Sequence, residues 1–243
     1  MPIVEFRDVS YEIAGKLILD RVSFTVEAGE TLVLLGRSGS GKTTALKLTN
    51  GMLMPTRGQV LVEGRPTSQW DPIRLKRRIG YVIQDAGLFP HFTVGANVAL
   101  VPRLEGWDSA RVAQRVDQLL DVMALPPDEF RSRYPSQLSG GQRQRVGVAR
   151  ALAADPSLLL FDEPFGALDP ITRSELQRQF LAMRRDFAKT SLFVTHDVRE
   201  AVRLGTRIAL LSSGHLDVIA SPDEFRRSDT TEAQAFLRVL SEG

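Results

Sequence analysis

Thr31-Leu32-Val33-Leu34-Leu35 is a short, almost wholly apolar run, and Gly36-Arg37-Ser38-Gly39-Ser40-Gly41-Lys42-Thr43-Thr44 follows it directly. Runs of the first kind mark strands covered on both faces. The glycines that come next make a turn, and a helical pattern extends from Lys42 to Asn50. Strand, turn and helix in this order, with G-x-x-x-x-G-K-S/T spacing, curl backbone N–H groups around phosphate oxygens at a helix N-terminus, which adds about half a positive charge. Lys42 is expected to neutralise the β- and γ-phosphates and the Thr43 hydroxyl to ligate Mg²⁺. Gly36, Arg37, Ser38, Gly39, Ser40, Gly41 and Thr44 complete the candidate phosphate site.

Outward from this stretch, Ile3–Val9 and Val22–Val26 alternate with period two, as half-buried antiparallel strands do. Strands are expected at Gln59–Glu63 and Ile79–Ile83, the latter ending at Gln84. From about Leu88 to Asp155 the spacing becomes helical: Val112, Val116, Leu119, Leu120 and Met123 share one face, Asp108 is a candidate N-cap, and Pro126-Pro127 ends that helix. A further helix is expected from Ser139 to Ala154. Strand and helix then alternate through Leu158–Phe161, a helix opened by Pro170, Ser191–Thr195, a short helix and Arg207–Leu211, with C-terminal helices starting near Pro222 and Thr230. The pattern predicts one α/β domain over residues 1–243, with a mostly parallel sheet, an antiparallel N-terminal part, an inserted helical subdomain at about 88–155 and short helices at about 222–241.

Composition narrows the chemistry. The chain has 243 residues and no cysteine, which excludes disulfides, thiolate metal sites and a Cys nucleophile. Its three histidines, His91, His196 and His215, are too scattered for a histidine-rich metal site. Lys plus Arg number 31 and Asp plus Glu 29, a net charge of +2, which makes no polyanion-binding field and gives no support to a nucleic-acid partner. The longest apolar runs fall far below the ~18 residues a membrane helix needs. The first residues have neither the charge nor the apolar stretch of a signal peptide. A cytoplasmic protein is expected.

Two other segments carry chemistry. Asp162-Glu163 ends the apolar run Leu158–Phe161, at the end of a strand where open α/β sheets bind ligands. Asp162 suits Mg²⁺ and Glu163 suits the base that deprotonates an attacking water. Leu138-Ser139-Gly140-Gly141-Gln142 has capping-box spacing, but two glycines in a first helical turn cost about 1 kcal/mol each relative to alanine. Glycines there imply close approach to the backbone, with an anion as the natural candidate. A chain with one phosphate cradle needs no second, so the second implies a site shared between two chains. Arg143 and Arg145 are expected on a solvated helix face.

Taken together, the phosphate loop, Leu138–Gln142, the acidic pair and the helical insertion resemble, in order and over almost the whole chain, the nucleotide-binding subunit of an ATP-binding cassette (ABC) transporter, a P-loop NTPase. The resemblance implies a head-to-tail dimer in which Ser139, Gly140, Gly141 and Gln142 of one copy cap the γ-phosphate held by Lys42 of the other. It implies that Gln84 senses Mg²⁺ and the attacking water and couples to the membrane subunit. His196 is implied at the γ-phosphate, Asp169 as the link between the two sites, and Tyr11 stacked on adenine. Gly166 replaces the serine common at its place. Partners implied are integral-membrane permease subunits, which Leu88–Val94 would face, an extracytoplasmic substrate-binding protein, and a second copy or a second ATPase. The chain would then sit peripherally on the inner face of the cell membrane.

Ile79–Pro102 further resembles the ATPases of importers for quaternary-amine osmoprotectants such as glycine betaine, choline and carnitine. Many of that branch carry a C-terminal regulatory module of the CBS type, and none is expected up to Gly243. The alternatives are an importer for a different small solute, a soluble ABC-type ATPase of assembly or repair, and a nucleotide switch without hydrolysis. Sustained heptads of the repair type are absent, and the presence of Glu163 and His196 argues against the switch.

Overall fold

In the computed structural model, which describes residues 1–166 and 168–241, the chain runs β1 (Val4–Ile13), β2 (Lys16–Val26), β3 (Thr31–Leu35), α1 (Lys42–Thr49), β4 (Arg57–Val62), β5 (Arg65–Pro66), α2 (Pro72–Arg78) and β6 (Ile79–Val82). It continues through α3 (Val94–Leu104), α4 (Ser109–Val122), α5 (Pro127–Phe130), α6 (Gly140–Leu152), β7 (Leu158–Asp162) and α7 (Pro170–Phe187). Last come β8 (Thr190–Thr195), α8 (Val198–Leu204), β9 (Arg207–Ser212), β10 (His215–Ala220), α9 (Pro222–Phe225) and α10 (Thr231–Ser241). Ala167, inside the quoted Gly166–Asp169 stretch, and Gly243, the end of the expected domain, lie outside the described residues. The fold is α/β, as expected. Two compact units are present: Met1–Lys76 with Lys189–Gly243, and Arg77–Ala188.

In the first unit, an antiparallel sheet has the order β2-β1-β4-β5, and Phe6 stacks on Phe24 with ring centroids 4.4 Å apart. A second ladder runs β10-β9-β3-β8, in which β9, β3 and β8 are parallel and β10 joins antiparallel. All five residues of β3 are buried, and Leu32–Leu35 have no exposed surface. Burying a leucine side chain contributes roughly 1.5–3 kcal/mol, so this strand anchors the loop that leaves it. In the second unit β6 and β7 pair in parallel, α6 packs on β6, and α3 and α4 pack on α6. Phe161 of β7 meets Phe180 of α7 edge-on at 5.1 Å.

Asp108 caps α4 by accepting from the Arg111 N–H at 2.9 Å, and Val112, Val116, Leu119 and Leu120 are buried as their spacing predicts. Other expectations need correction. Ala124, with φ 53°, already ends α4, and Pro127 opens α5 at its first position instead of stopping a helix. The first strand extends past Val9 because Ala14 (φ 49°) and Gly15 (φ 75°) make a two-residue hairpin turn; alanine is a poor signal for such a turn. Strand β10 was missed for a related reason. Its turn uses Ser213 at φ 48° with Gly214, and the strand it opens is largely half-buried, without a clean apolar face.

Candidate functional site

The phosphate loop is shaped by two glycines whose side chains have nowhere to go. A Cβ on Gly36 would lie 2.3 Å from the Leu211 carbonyl oxygen of β9, and Gly41, the N-cap of α1, has φ 104°. The Lys42 ammonium is buried and donates to the carbonyls of Gly36 and Arg37, both at 2.9 Å. Among the described residues no side chain caps α1, and its first turn has no acidic residue to oppose an anion. Among the described residues the buried Ser40 hydroxyl has no hydrogen-bond partner. An uncapped helix start, an inward hydroxyl and a preplaced ammonium make a cradle for an anion.

Other candidates in this unit stand near the loop. Leu35 and Thr195 are register partners in the parallel β3–β8 pair, so Gly36 and His196 leave adjacent strands at the same end. His196 is exposed, while Thr195 before it is buried and donates to the buried Glu200 carboxylate at 2.7 Å. Tyr11 pairs with Leu19 across the β1–β2 hairpin, and a Cβ on Gly41 would meet Leu19 Cδ2 at 2.5 Å, which puts the hairpin against the phosphate loop. Arg37 reaches away from the loop to Glu232 of α10 at 2.7 Å.

In the second unit, Val82 and Phe161 are register partners in the parallel β6–β7 pair, so Gln84 and the Asp162-Glu163 pair emerge at the same end. Gly166 borders both: a Cβ there would lie 3.4 Å from Gln84 Nε2 and 3.9 Å from Glu163 Oε2. Glu163 has φ 46°, a left-handed conformation of the kind that collects at functional sites. The Tyr81 hydroxyl donates to Asp162 Oδ2 at 3.1 Å; burial, then the Asp162 charge, push the Tyr81 pKa far above its usual value.

The Gln84 loop is tied to α6. Arg150 donates to the carbonyls of Ala86 and Gly87, both at 2.7 Å, and Gln144 donates to Ile83 O at 3.3 Å. Sequence reasoning missed both residues; only their place on the buried side of an amphipathic helix marked them. Beyond this loop, Asn97 has no exposed surface and binds the Phe89–Thr93 backbone: it accepts from the Phe89 N–H and donates to the carbonyls of Phe89, Phe92 and Thr93. It holds an aromatic cluster of Phe89, His91 and Phe92, with Phe89 41% exposed.

The turn at Ser139 differs from the phosphate loop. Its capping box is closed, Ser139 Oγ accepting from the Gln142 N–H at 3.2 Å and Gln142 Oε1 from the Ser139 N–H at 2.9 Å. Gly141 owes its missing side chain to the chain itself, since a Cβ would meet Thr172 Cγ2 of α7 at 2.4 Å; Gly140 has nothing nearer than 3.9 Å. Thr172 also reaches Asp169, whose carboxyl caps α7 by accepting from the N–H groups of Ile171 and Thr172. Hydrogen bonds from Thr172, its side chain first and then its backbone, hold Asp169 below the usual aspartate range. Arg143 is exposed, as on a solvated face, and donates to Leu138 O at 2.7 Å, whereas Arg145 is half-buried and pairs with Glu175 at 3.0 Å.

A buried parallel strand, a glycine cradle, an uncapped helix and a buried lysine define the P-loop class of nucleotide-binding folds. Within it, the chain belongs to the ABC transporter family, whose model matches residues 19–166. It is 50% identical over 214 residues to the osmoprotectant import ATP-binding protein OsmV of Salmonella typhimurium, covering 88% of this chain and 56% of that protein. To the glycine betaine uptake system ATP-binding protein YehX of Escherichia coli it is 44% identical, covering 98% of this chain and 80% of that one. A dimeric post-hydrolysis structure of the ATP-binding cassette MJ0796 bound to ADP and Pi superposes with TM-score 0.79 at 32% identity, over 90% of this chain and 98% of that one. CbiO1 of Clostridium perfringens, part of the ABC transporter complex cbiONQ, gives TM-score 0.85 at 25% identity, over 99% and 96%. The chain spans a little over half the length of OsmV and of similar choline and carnitine transport relatives.

Proposed function

We propose that this chain is the ATP-hydrolysing subunit of a bacterial importer for quaternary-amine osmoprotectants, working through separate membrane subunits. The observation that carries it is the cradle at Gly36–Thr44, with Lys42 buried in it and Ser40 Oγ without a partner among the described residues. The likeness to OsmV and YehX supports the solute class. Among the described residues no helix is long and apolar enough to cross a membrane, so in this reading permease subunits form the path. An extracytoplasmic binding protein selects the solute, and the chain docks on the inner face of the membrane.

The residues fit ATP with Mg²⁺. Thr43, Gln84 and Asp162 offer only oxygen donors, a hard set. Among the described residues no three His, Cys, Asp or Glu side chains cluster as a metal site, so the set relies on phosphate and water to complete it. Mg²⁺, when bound, neutralises phosphate charge and orients the phosphoryl group.

Each residue then has a part. Backbone N–H groups from Gly36 to Thr44 bind the phosphates, Lys42 balances their charge, and Arg37, Ser38 and Gly39 form the loop's outer rim. Tyr11 stacks on the base. Glu163 takes the proton of the attacking water, Gln84 orients that water, and His196 contacts the terminal phosphate. Ser139, Gly140, Gly141 and Gln142 act on the nucleotide of a second copy, and Asp169 links the two sites. The helices between about 88 and 155 act as one inserted subdomain of this single catalytic domain, and the exposed aromatic cluster at Phe89 receives the membrane subunit.

Glu163→Gln is expected to bind ATP, to lose turnover by about a thousandfold, and to accumulate as a dimer by light scattering. A monomer at saturating ATP counts against the shared site. A tagged pull-down from detergent-solubilised native membranes, read by mass spectrometry, is expected to recover a multi-pass membrane protein; soluble partners alone overturn the transporter reading.

A further inference from the structure

The end of β7 carries a carboxylate on a soft hinge. An aspartate's terminal torsion is broad, so a half-buried Asp162 at a strand terminus turns about its Cβ–Cγ bond unless something holds it. Tyr81 supplies such a hold. It stands on β6 with Leu160 as its register partner in β7, and Val82 pairs with Phe161 next to it. Its half-buried phenol reaches one strand across to donate to Asp162 Oδ2 at 3.1 Å.

We propose that Tyr81 is a positioning residue for Asp162: its phenol hydrogen bond sets the carboxylate's rotation, and through it the affinity of the nucleotide complex for a divalent cation. This rests on the reading of Asp162 as a Mg²⁺ ligand. The role suits a tyrosine. A phenol carries one O–H donor on a rigid ring, at a reach that spans the neighbouring strand. A phenylalanine would fill the same space without the bond. Outer-shell hydrogen bonds of this kind fix ligand orientation and raise ligand basicity, and their loss lowers metal affinity about 10- to 100-fold.

The test uses the whole chain with ATP and with Mn²⁺ in place of Mg²⁺, bound and unbound Mn²⁺ being read by electron paramagnetic resonance. Tyr81→Phe is expected to weaken Mn²⁺ binding to the ATP complex by about tenfold. Binding of a fluorescent ATP analogue in EDTA should stay within about twofold, since that readout involves no cation. Asp162→Asn is the reference and is expected to lose more. Wild-type Mn²⁺ affinity in Tyr81→Phe, alongside a clear loss in Asp162→Asn, overturns the role of Tyr81 and leaves that of Asp162 standing. Unchanged affinity in both variants removes Asp162 from the metal site and the proposal with it. A general loss of structure would weaken metal-free nucleotide binding too; should Tyr81→Phe show that, Tyr81→Met removes the donor with different packing and carries the same comparison.

Discussion

Two glycine-rich turns open helices in this chain, and they resolve the same physical problem in opposite ways. At Gly41 the start of α1 has no side-chain cap, and the lysine beside it is held by loop carbonyls. At Ser139 the start of α6 is closed on itself by a reciprocal pair of hydrogen bonds. The first turn therefore holds no side-chain cap that a ligand must displace, while the second satisfies the N–H groups of Ser139 and Gln142 itself. An anion gains most at the first, and at the second it competes with a local cap worth about 1 kcal/mol. Glycine content alone does not separate an uncapped helix start from a capped one; the cap does.

The sharpest break of this contrast is Lys42→Ala. Hydrogen bonds from a charged group contribute about 1.5–3 kcal/mol, so ATP affinity by calorimetry is expected to fall about a hundredfold. Ser139→Arg tests the second turn: turnover is expected to fall at least about a hundredfold while ATP affinity of the monomer stays within about threefold. Loss of binding in that variant would put the turn in the chain's own nucleotide site.

Smaller effects separate the two glycines of the second turn. Gly141→Ala is expected to destabilise by about 1–3 kcal/mol in urea unfolding, because its methyl group meets Thr172, and adding Thr172→Ser should restore part of the loss. Gly140→Ala, with open space around it, should be neutral or stabilising by up to about 1 kcal/mol. The smallest effect is electrostatic. An NMR titration should place Asp169 below the usual aspartate value, about 3.9. Because the folded value is the lowered one, its cap stabilises above the unfolded value, and that contribution is lost as pH falls through the folded one. In Gly141→Ala, with Thr172 displaced, the midpoint should move upward.

How much of this was legible depends on where the constraint lies. β3, the phosphate loop and α1 were readable because burial on both faces, phosphate chemistry and helix geometry all act within 19 consecutive residues, 31–49. The caps at Asp108 and Ser139 were readable for the same local reason. The reason for Gly141 was not, since the atom that excludes its side chain belongs to Thr172, 31 positions later. Arg150 and Asn97 were hidden likewise: each satisfies backbone carbonyls in a loop, and side chain to backbone bonds impose no residue type on the loop for a pattern to reveal. Tyr81 looked like one more strand residue, because its phenol matters only through a neighbouring strand brought alongside by folding.

The grip of Arg150 on Ala86 and Gly87 has a mechanical side. Helix α6 rises about 1.5 Å per residue, which puts Ser139 about 16 Å along the axis from Arg150. The loop after Gln84 is fastened at one end of this rigid lever, and the Ser139 turn rides on the other. A tilt of about 10° at the fastened end carries Ser139 by roughly 3 Å, about the length of one hydrogen bond.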